Sequence, residues 1–170
     1  MDLLTVIHRQ PGVDIHGRTV HRTAVRGVAW CGPRLLLVHS AAVGDYKFPG
    51  GGLVFGETHA QTLAREMREE CGLQLLHLGR PIGAVVEYNF ARDIGFDTFM
   101  MTSHYYECEV SDEQGQQRLE DYEAALDFRP EWIEVRTALQ ANRSMLGSPR
   151  APGWLTREIF VLEYLDGKIA

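Results

Sequence analysis

Between Gly51 and Leu73 the chain reads GGLVFGETHAQTLAREMREECGL. Gly51, Glu57, Arg65, Glu66, Glu69, Glu70 and Gly72, with apolar Met67 and Leu73, fill the spacing G-x5-E-x7-R-E-U-x-E-E-x-G-U, where U is apolar, without gap or mismatch. On a helix at about 100° per residue, Glu66, Glu69 and Glu70 fall within an arc of roughly 100°. Carboxylates that close repel one another, and like charges three or four residues apart destabilise a helix. A hard divalent cation removes that repulsion. Mg²⁺ takes oxygen ligands, keeps several waters and is commonly completed by substrate phosphates. The chemistry suggested is therefore a cation held against a diphosphate. Arg65, one turn before Glu69, is placed to orient it by a charge-assisted hydrogen bond.

These side chains need a scaffold, and local signals predict one. Thr58 and Gln61 form an S/T-x-x-Q capping box, so a helix should start at Thr58 and run to Cys71, with Gly72 as its C-cap. Ala60, Leu63, Ala64, Met67 and Cys71 follow the helical apolar period and give one buried stripe. Before the helix, Lys47-Phe48-Pro49-Gly50 and the glycines through Gly52 predict a loop, Asp45–Gly52, whose backbone can approach a metal or phosphate closely. Read alone, RExxEE describes a solvated acidic helix face. The complete pattern has a chance probability on the order of 10⁻¹⁰ to 10⁻⁹ at one start position.

The segment resembles the Nudix box of the Nudix hydrolase family at every defining position. The surrounding layout fits from about Thr23 to Leu165. The resemblance implies an α+β fold, an α/β/α sandwich with a central mixed sheet, in a single domain over 1–170. It implies a Mg²⁺-dependent pyrophosphohydrolase, with Mn²⁺ as a substitute, acting on a nucleoside diphosphate linked to another group X. Carried across by position, Glu66, Glu69 and Glu70 correspond to metal ligands, and the Gly50 carbonyl to a further one. Arg65 corresponds to the residue that orients the glutamates, and Glu57 to a supporting glutamate at the loop–helix junction. The base is a box glutamate or an acidic residue on a later loop. Glu120, Asp121 and Glu123 are available there, and Glu123 stands where some relatives carry it; a solvated helix face is the competing reading. A catalytically silent nucleotide-binding module on the same fold is the alternative function, although such proteins usually lose box carboxylates and this chain keeps them. Many relatives are homodimers.

Specificity residues are less marked. Arg26, Lys47 and Arg92 could meet phosphates. Phe48 and Phe90 are candidate platforms for a base, with Phe90 in a polar loop, Phe90–Asp97.

Composition is compatible with a small enzyme. A chain of 170 residues has the size of one domain. The net charge of −6 argues against non-specific nucleic-acid binding, which rests on clustered Lys and Arg. No apolar run is long enough for a bilayer, and the N-terminus lacks a signal-like apolar core, so a cytoplasmic location is expected. Cys31, Cys71 and Cys108 are scattered and read as reduced thiols.

Further elements are predicted along the chain. Strands are expected at Leu3–Ile7, Val20–Val28, Leu35–His39, Leu75–Leu78, Ile82–Tyr88 and Thr98–Val110, with Pro81 separating the fourth and fifth. A helical turn is expected at Leu119–Leu126, a short strand at Trp132–Ile133, a helix near Val135–Asn142 and a closing helix at Trp154–Leu165.

Overall fold

The structure is a computed structural model that describes residues 1–169, with side chains described through residue 167. Its elements are β1 (Leu3–His8), β2 (Thr19–Val28), β3 (Trp30–Cys31), β4 (Arg34–Ser40), β5 (Asp45–Lys47), β6 (Gly50–Gly52), α1 (His59–Glu66), β7 (Leu75–Phe90), β8 (Thr98–Val110), α2 (Asp121–Ala125), β9 (Phe128–Glu134), α3 (Val135–Ser144) and α4 (Leu155–Ile169).

The strands form two sheets. The first is mixed, in the order β1-β7-β8-β2-β6, with β1–β7 and β8–β2 parallel and β7–β8 and β2–β6 antiparallel. The second is antiparallel, with β4 between β5 and β9 over part of its length and β3 at its start. Successive residues of a strand face opposite sides, and β4 shows the result. Leu35 and Leu37 pack with α3 and α4, through Val135, Leu139, Ile159 and Leu162. Leu36 and Val38 pack with Leu63 and Met67 on the other side. Strands buried on both faces between helices make the expected α/β/α sandwich.

Three details depart from the local reading. The helix opens as predicted, with the Gln61 amide donating to Thr58 Oγ1 at 3.3 Å and the Thr58 amide to Gln61 Oε1 at 2.8 Å. It does not continue as a regular α-helix to Cys71. Met67–Cys71 forms a wider π-helical turn, closed by Gly72 at φ 68°. Such turns recur at functional sites, and this one carries Glu69 and Glu70. Second, Pro81 does not split the strand. β7 runs through it, with register irregularities on either side. β1 pairs β7 only from Ala84 onward, so Pro81 lies where β7 has a free edge and a missing N–H costs no ladder bond. Third, the glycine loop contains the two short strands β5 and β6. Outside the box, β9 extends the short strand predicted at Trp132–Ile133 to seven residues.

Candidate active site

The site is assembled by pairing β6 with β2. Arg26 lies opposite Gly50, Val25 opposite Gly51 and Ala24 opposite Gly52. This antiparallel contact brings the glycine run against both the sheet and the end of α1, where it meets Arg65 and Glu66. Gly50 has φ 129°, and a Cβ there would overlap the Val25 carbonyl oxygen. At Gly51 a Cβ would overlap the Glu66 carboxylate. The first position thus needs glycine for its backbone, and the second for the room it leaves to a functional side chain.

Arg65 organises the exposed part of the cluster. Its Nε donates to Glu57 Oε1 at 2.9 Å and its Nη2 to Glu57 Oε2 at 3.0 Å. Its Nη1 donates to Glu66 Oε1 at 2.7 Å and to Glu69 Oε2 at 3.2 Å, and its Nη2 to the Gly52 carbonyl at 3.1 Å. The paired Arg65 guanidinium holds the Glu57 carboxyl down at about 2. Thr62 Oγ1 and the Val54 amide also donate to Glu57.

Lys47 and Glu70 form the buried part. The Lys47 ammonium donates to Glu70 Oε1, and the Gly50 amide donates to Glu70 Oε2 at 2.9 Å. Both side chains are buried. The Lys47 ammonium also lies 4.9 Å from the centre of the Phe128 ring. Gln117 Nε2 donates to the carbonyls of Glu70 and Phe128, tying the π-helical turn to β9.

Glu66 lies between these halves. Burial pushes its carboxyl up to about 7, the negative charge of Glu70 adds to the effect, and Arg65 and Lys47 oppose it. Four carboxylates, Glu57, Glu66, Glu69 and Glu70, thus share two cations, Arg65 and Lys47. Glu123 joins from α2: it is buried, its Oε2 accepts from the Glu120 amide, and its Oε1 accepts from Tyr122 Oη. Burial raises its carboxyl, and the charge of Glu70 adds to the shift. Glu123 therefore faces the cluster and does not lie on a solvated helix face.

The donor set suits Mg²⁺ chemically: Glu66, Glu69 and Glu70 offer hard carboxylate oxygens, and the excess of four carboxylates over two cations is what a divalent cation would relieve. Among the described residues, no three acidic, His or Cys side chains converge on one point. Arg65 Nη1 bridges Glu66 and Glu69, and Lys47 pairs with Glu70.

Other predicted residues lie elsewhere. Arg26 is buried and its Nη1 donates to the Gly50 carbonyl, so it braces the loop and is not free for a phosphate. Phe48 is fully buried, with its ring edge-on to Tyr105 at 5.5 Å, and offers no face to a ligand. Phe90 is 45% exposed and lines a cavity of about 480 Å³ at the far end of the mixed sheet. Arg92 lines it too, as do Arg9 and Arg22, which sequence reasoning did not single out.

Sequence reasoning also missed a buried polar network behind the glycine loop. The Phe48 amide donates to Glu158 Oε2 at 2.9 Å. Arg157 donates to Glu158 Oε1 and to Glu87 Oε2, both at under 3 Å, and Glu87 also accepts from Arg9. The one available signal was the adjacent pair Arg157-Glu158 in the apolar closing helix.

The family model of the NUDIX domain matches residues 20–150. The solution structure of the E. coli ORF135 protein superposes with a TM-score of 0.59 at 18% identity, covering 89% of this chain and 93% of that one. A NUDIX hydrolase from Nitrosomonas europaea gives 0.53 at 18% identity, covering 88% and 91%. The MutT protein from Bacillus halodurans gives 0.51 at 19% identity, covering 71% and 72%. At such identities these likenesses are of fold. No curated protein matches the sequence. The domain match covers most of the chain and includes the whole glycine loop and glutamate cluster, and on that ground the chain belongs to the Nudix family of hydrolases, which act on pyrophosphate bonds.

Proposed function

We propose that this protein hydrolyses the diphosphate linkage of a nucleoside diphosphate joined to a further group X, and that Mg²⁺ is required, with Mn²⁺ able to replace it. The observation that carries the reading is the buried Glu66 and Glu70 carboxylates set against the Gly50–Gly52 backbone, in a group of four carboxylates that shares only Arg65 and Lys47. In this reading Glu66, Glu69 and Glu70, with the Gly50 carbonyl, hold the cation. When bound, the cation supplies charge neutralisation at the phosphates and a more acidic water.

The protein groups have separable tasks. Arg65 positions Glu57, Glu66 and Glu69 through four hydrogen bonds from one planar guanidinium. Lys47 and the Gly50 amide fix the Glu70 carboxylate. Glu123 is the candidate base, because its environment raises its affinity for a proton and it faces Glu70. Arg26 braces the Gly50 carbonyl and sets the loop geometry. Catalysis of this type rests mainly on positioning and electrostatic stabilisation.

The test is a panel of nucleoside di- and triphosphates, dinucleoside polyphosphates, sugar nucleotides and ADP-ribose, assayed with Mg²⁺, with Mn²⁺ and with chelator. Release of a nucleoside monophosphate that needs the metal is expected. Equal turnover by wild type and by Glu69→Gln and Glu70→Gln would sink the metal assignment. Tight binding without turnover across the panel would instead favour a silent nucleotide-binding module.

A further inference from the structure

The cavity lined by Arg9, Arg22 and Arg92 has a chemistry that the glutamate cluster does not explain. It is about 480 Å³ in volume and is walled by Phe90, Phe99 and Met101, with Asn89 on β7. The lining carries three guanidinium groups against the single carboxylate of Asp93, in a chain whose net charge is −6. Among the described residues, neither Arg22 nor Arg92 takes part in a salt bridge. Arg9 is held from behind, with Nε and Nη2 on Glu87 Oε1 at 2.9 and 2.8 Å. Glu87 is itself anchored by Arg157 at 2.7 Å. One guanidinium is therefore positioned and two are unpaired, around an apolar wall.

The register relates this cavity to the glycine loop. Arg22 and Arg26 lie on the same strand, β2, four residues apart, so both point to the same face of the sheet. Arg26 is opposite Gly50, and Arg22 is opposite Met101. Four residues of strand span about 13 Å. The scissile diphosphate alone cannot bridge that distance, but a nucleotide can. Arginine binds phosphate with two parallel hydrogen bonds, and a cluster of three is poorly suited to an uncharged base or sugar.

We infer that the Arg9, Arg22 and Arg92 cavity is a second anion subsite, and that the substrate is a nucleotide bearing a further phosphate monoester remote from the diphosphate that is cleaved. The inference rests on reading the glutamate cluster as the diphosphate site. Phe90, Phe99 and Met101 pack against the nucleoside between the two charged ends.

The test pairs a nucleoside 5′-diphosphate with its 3′-phosphorylated counterpart, in adenine and guanine versions. Equilibrium binding is measured in chelator without metal, and hydrolysis with Mg²⁺. Wild type is expected to bind the 3′-phosphorylated compound at least tenfold more tightly, and to hydrolyse it with a kcat/KM at least tenfold higher. In Arg22→Gln/Arg92→Gln both ratios should fall to about one. Arg92→Gln alone should give an intermediate ratio, which keeps the test readable should the double variant misfold. Equal affinities in wild type, or a preference that survives in the double variant, would overturn the subsite. If wild type shows the binding preference but hydrolyses neither compound, the subsite stands and the diphosphate reading fails.

Discussion

Lys47 and Glu70 form a buried ion pair beneath the glycine loop, with side-chain exposures of 5% and 1%. They are 23 residues apart in the chain and meet because β5 and the π-helical turn are folded against one another. A buried pair is costly to break from one side, because the remaining charge has nowhere to go. Lys47→Met should therefore cost about 3 kcal/mol of stability in chelator. Saturating Mg²⁺ should recover part of this, since a cation at Glu70 replaces the lost ammonium. Denaturant melts with and without Mg²⁺ measure both effects, and an equal loss in the two conditions would separate Glu70 from the metal.

The two adjacent glycines predict opposite phenotypes. Gly50→Ala meets backbone, at the Val25 carbonyl, in a conformation that side chains rarely adopt. It should lose about 2 kcal/mol or more. Gly51→Ala meets only the end of the Glu66 side chain, which can swing away. Its stability should change by less than about 1 kcal/mol, while hydrolysis falls at least tenfold because Glu66 is displaced. Thermal melts and steady-state kinetics on the two variants distinguish these outcomes.

Glu66 sets a pH dependence. Its carboxyl is raised from 4.5 to about 7, so the metal-free fold retains a proton that the unfolded chain releases. Without metal, this group's contribution to stability is fully present below about 4.5 and is lost as pH rises toward 7. A protonated Glu66 cannot ligate a cation, so Mg²⁺ affinity should rise across the same window. Calorimetric titration of Mg²⁺ at pH 5.5, 6.5 and 7.5 should show progressively tighter binding. Affinity independent of pH would remove Glu66 from the ligand set.

Glu123 tests the choice of base. Glu123→Gln keeps the size of the side chain and removes its proton affinity. The expected loss is about 100-fold in kcat with KM little changed. A similar loss in Glu120→Gln, with Glu123→Gln unaffected, would move the role to its neighbour.

The network on α4 predicts a structural dependence from outside the matched domain. Arg157→Met leaves Glu158 and Glu87 buried with fewer partners, and should cost about 3 kcal/mol or more. Because Glu158 accepts the Phe48 amide, the glycine loop should loosen at the same time. Hydrogen exchange at Phe48 would report it, and unchanged protection there would limit the network to holding α4.

What the chain determined by itself was local. The capping box at Thr58 and Gln61, the apolar stripe through Leu63 and Met67, and the glutamate spacing are written by residues within a turn or two of one another, and the structure shows the first two directly. The family followed from the same segment, and with it the sandwich architecture. Tertiary structure decided which charges meet. Lys47, offered by sequence as a free phosphate ligand, is committed to Glu70; Arg26 is committed to Gly50; Phe48 belongs to the core; and Glu123 is buried toward the cluster. Pro81 lies inside a strand because only the extent of β1 tells that the adjoining edge is free. Arg9, Arg22 and Arg92 come together from three segments far apart in sequence: the end of β1, β2 and the loop after β7. Capping and periodicity act over three or four residues, whereas a buried charge takes its partner from whatever strand register sets beside it, and no window along the chain contains both.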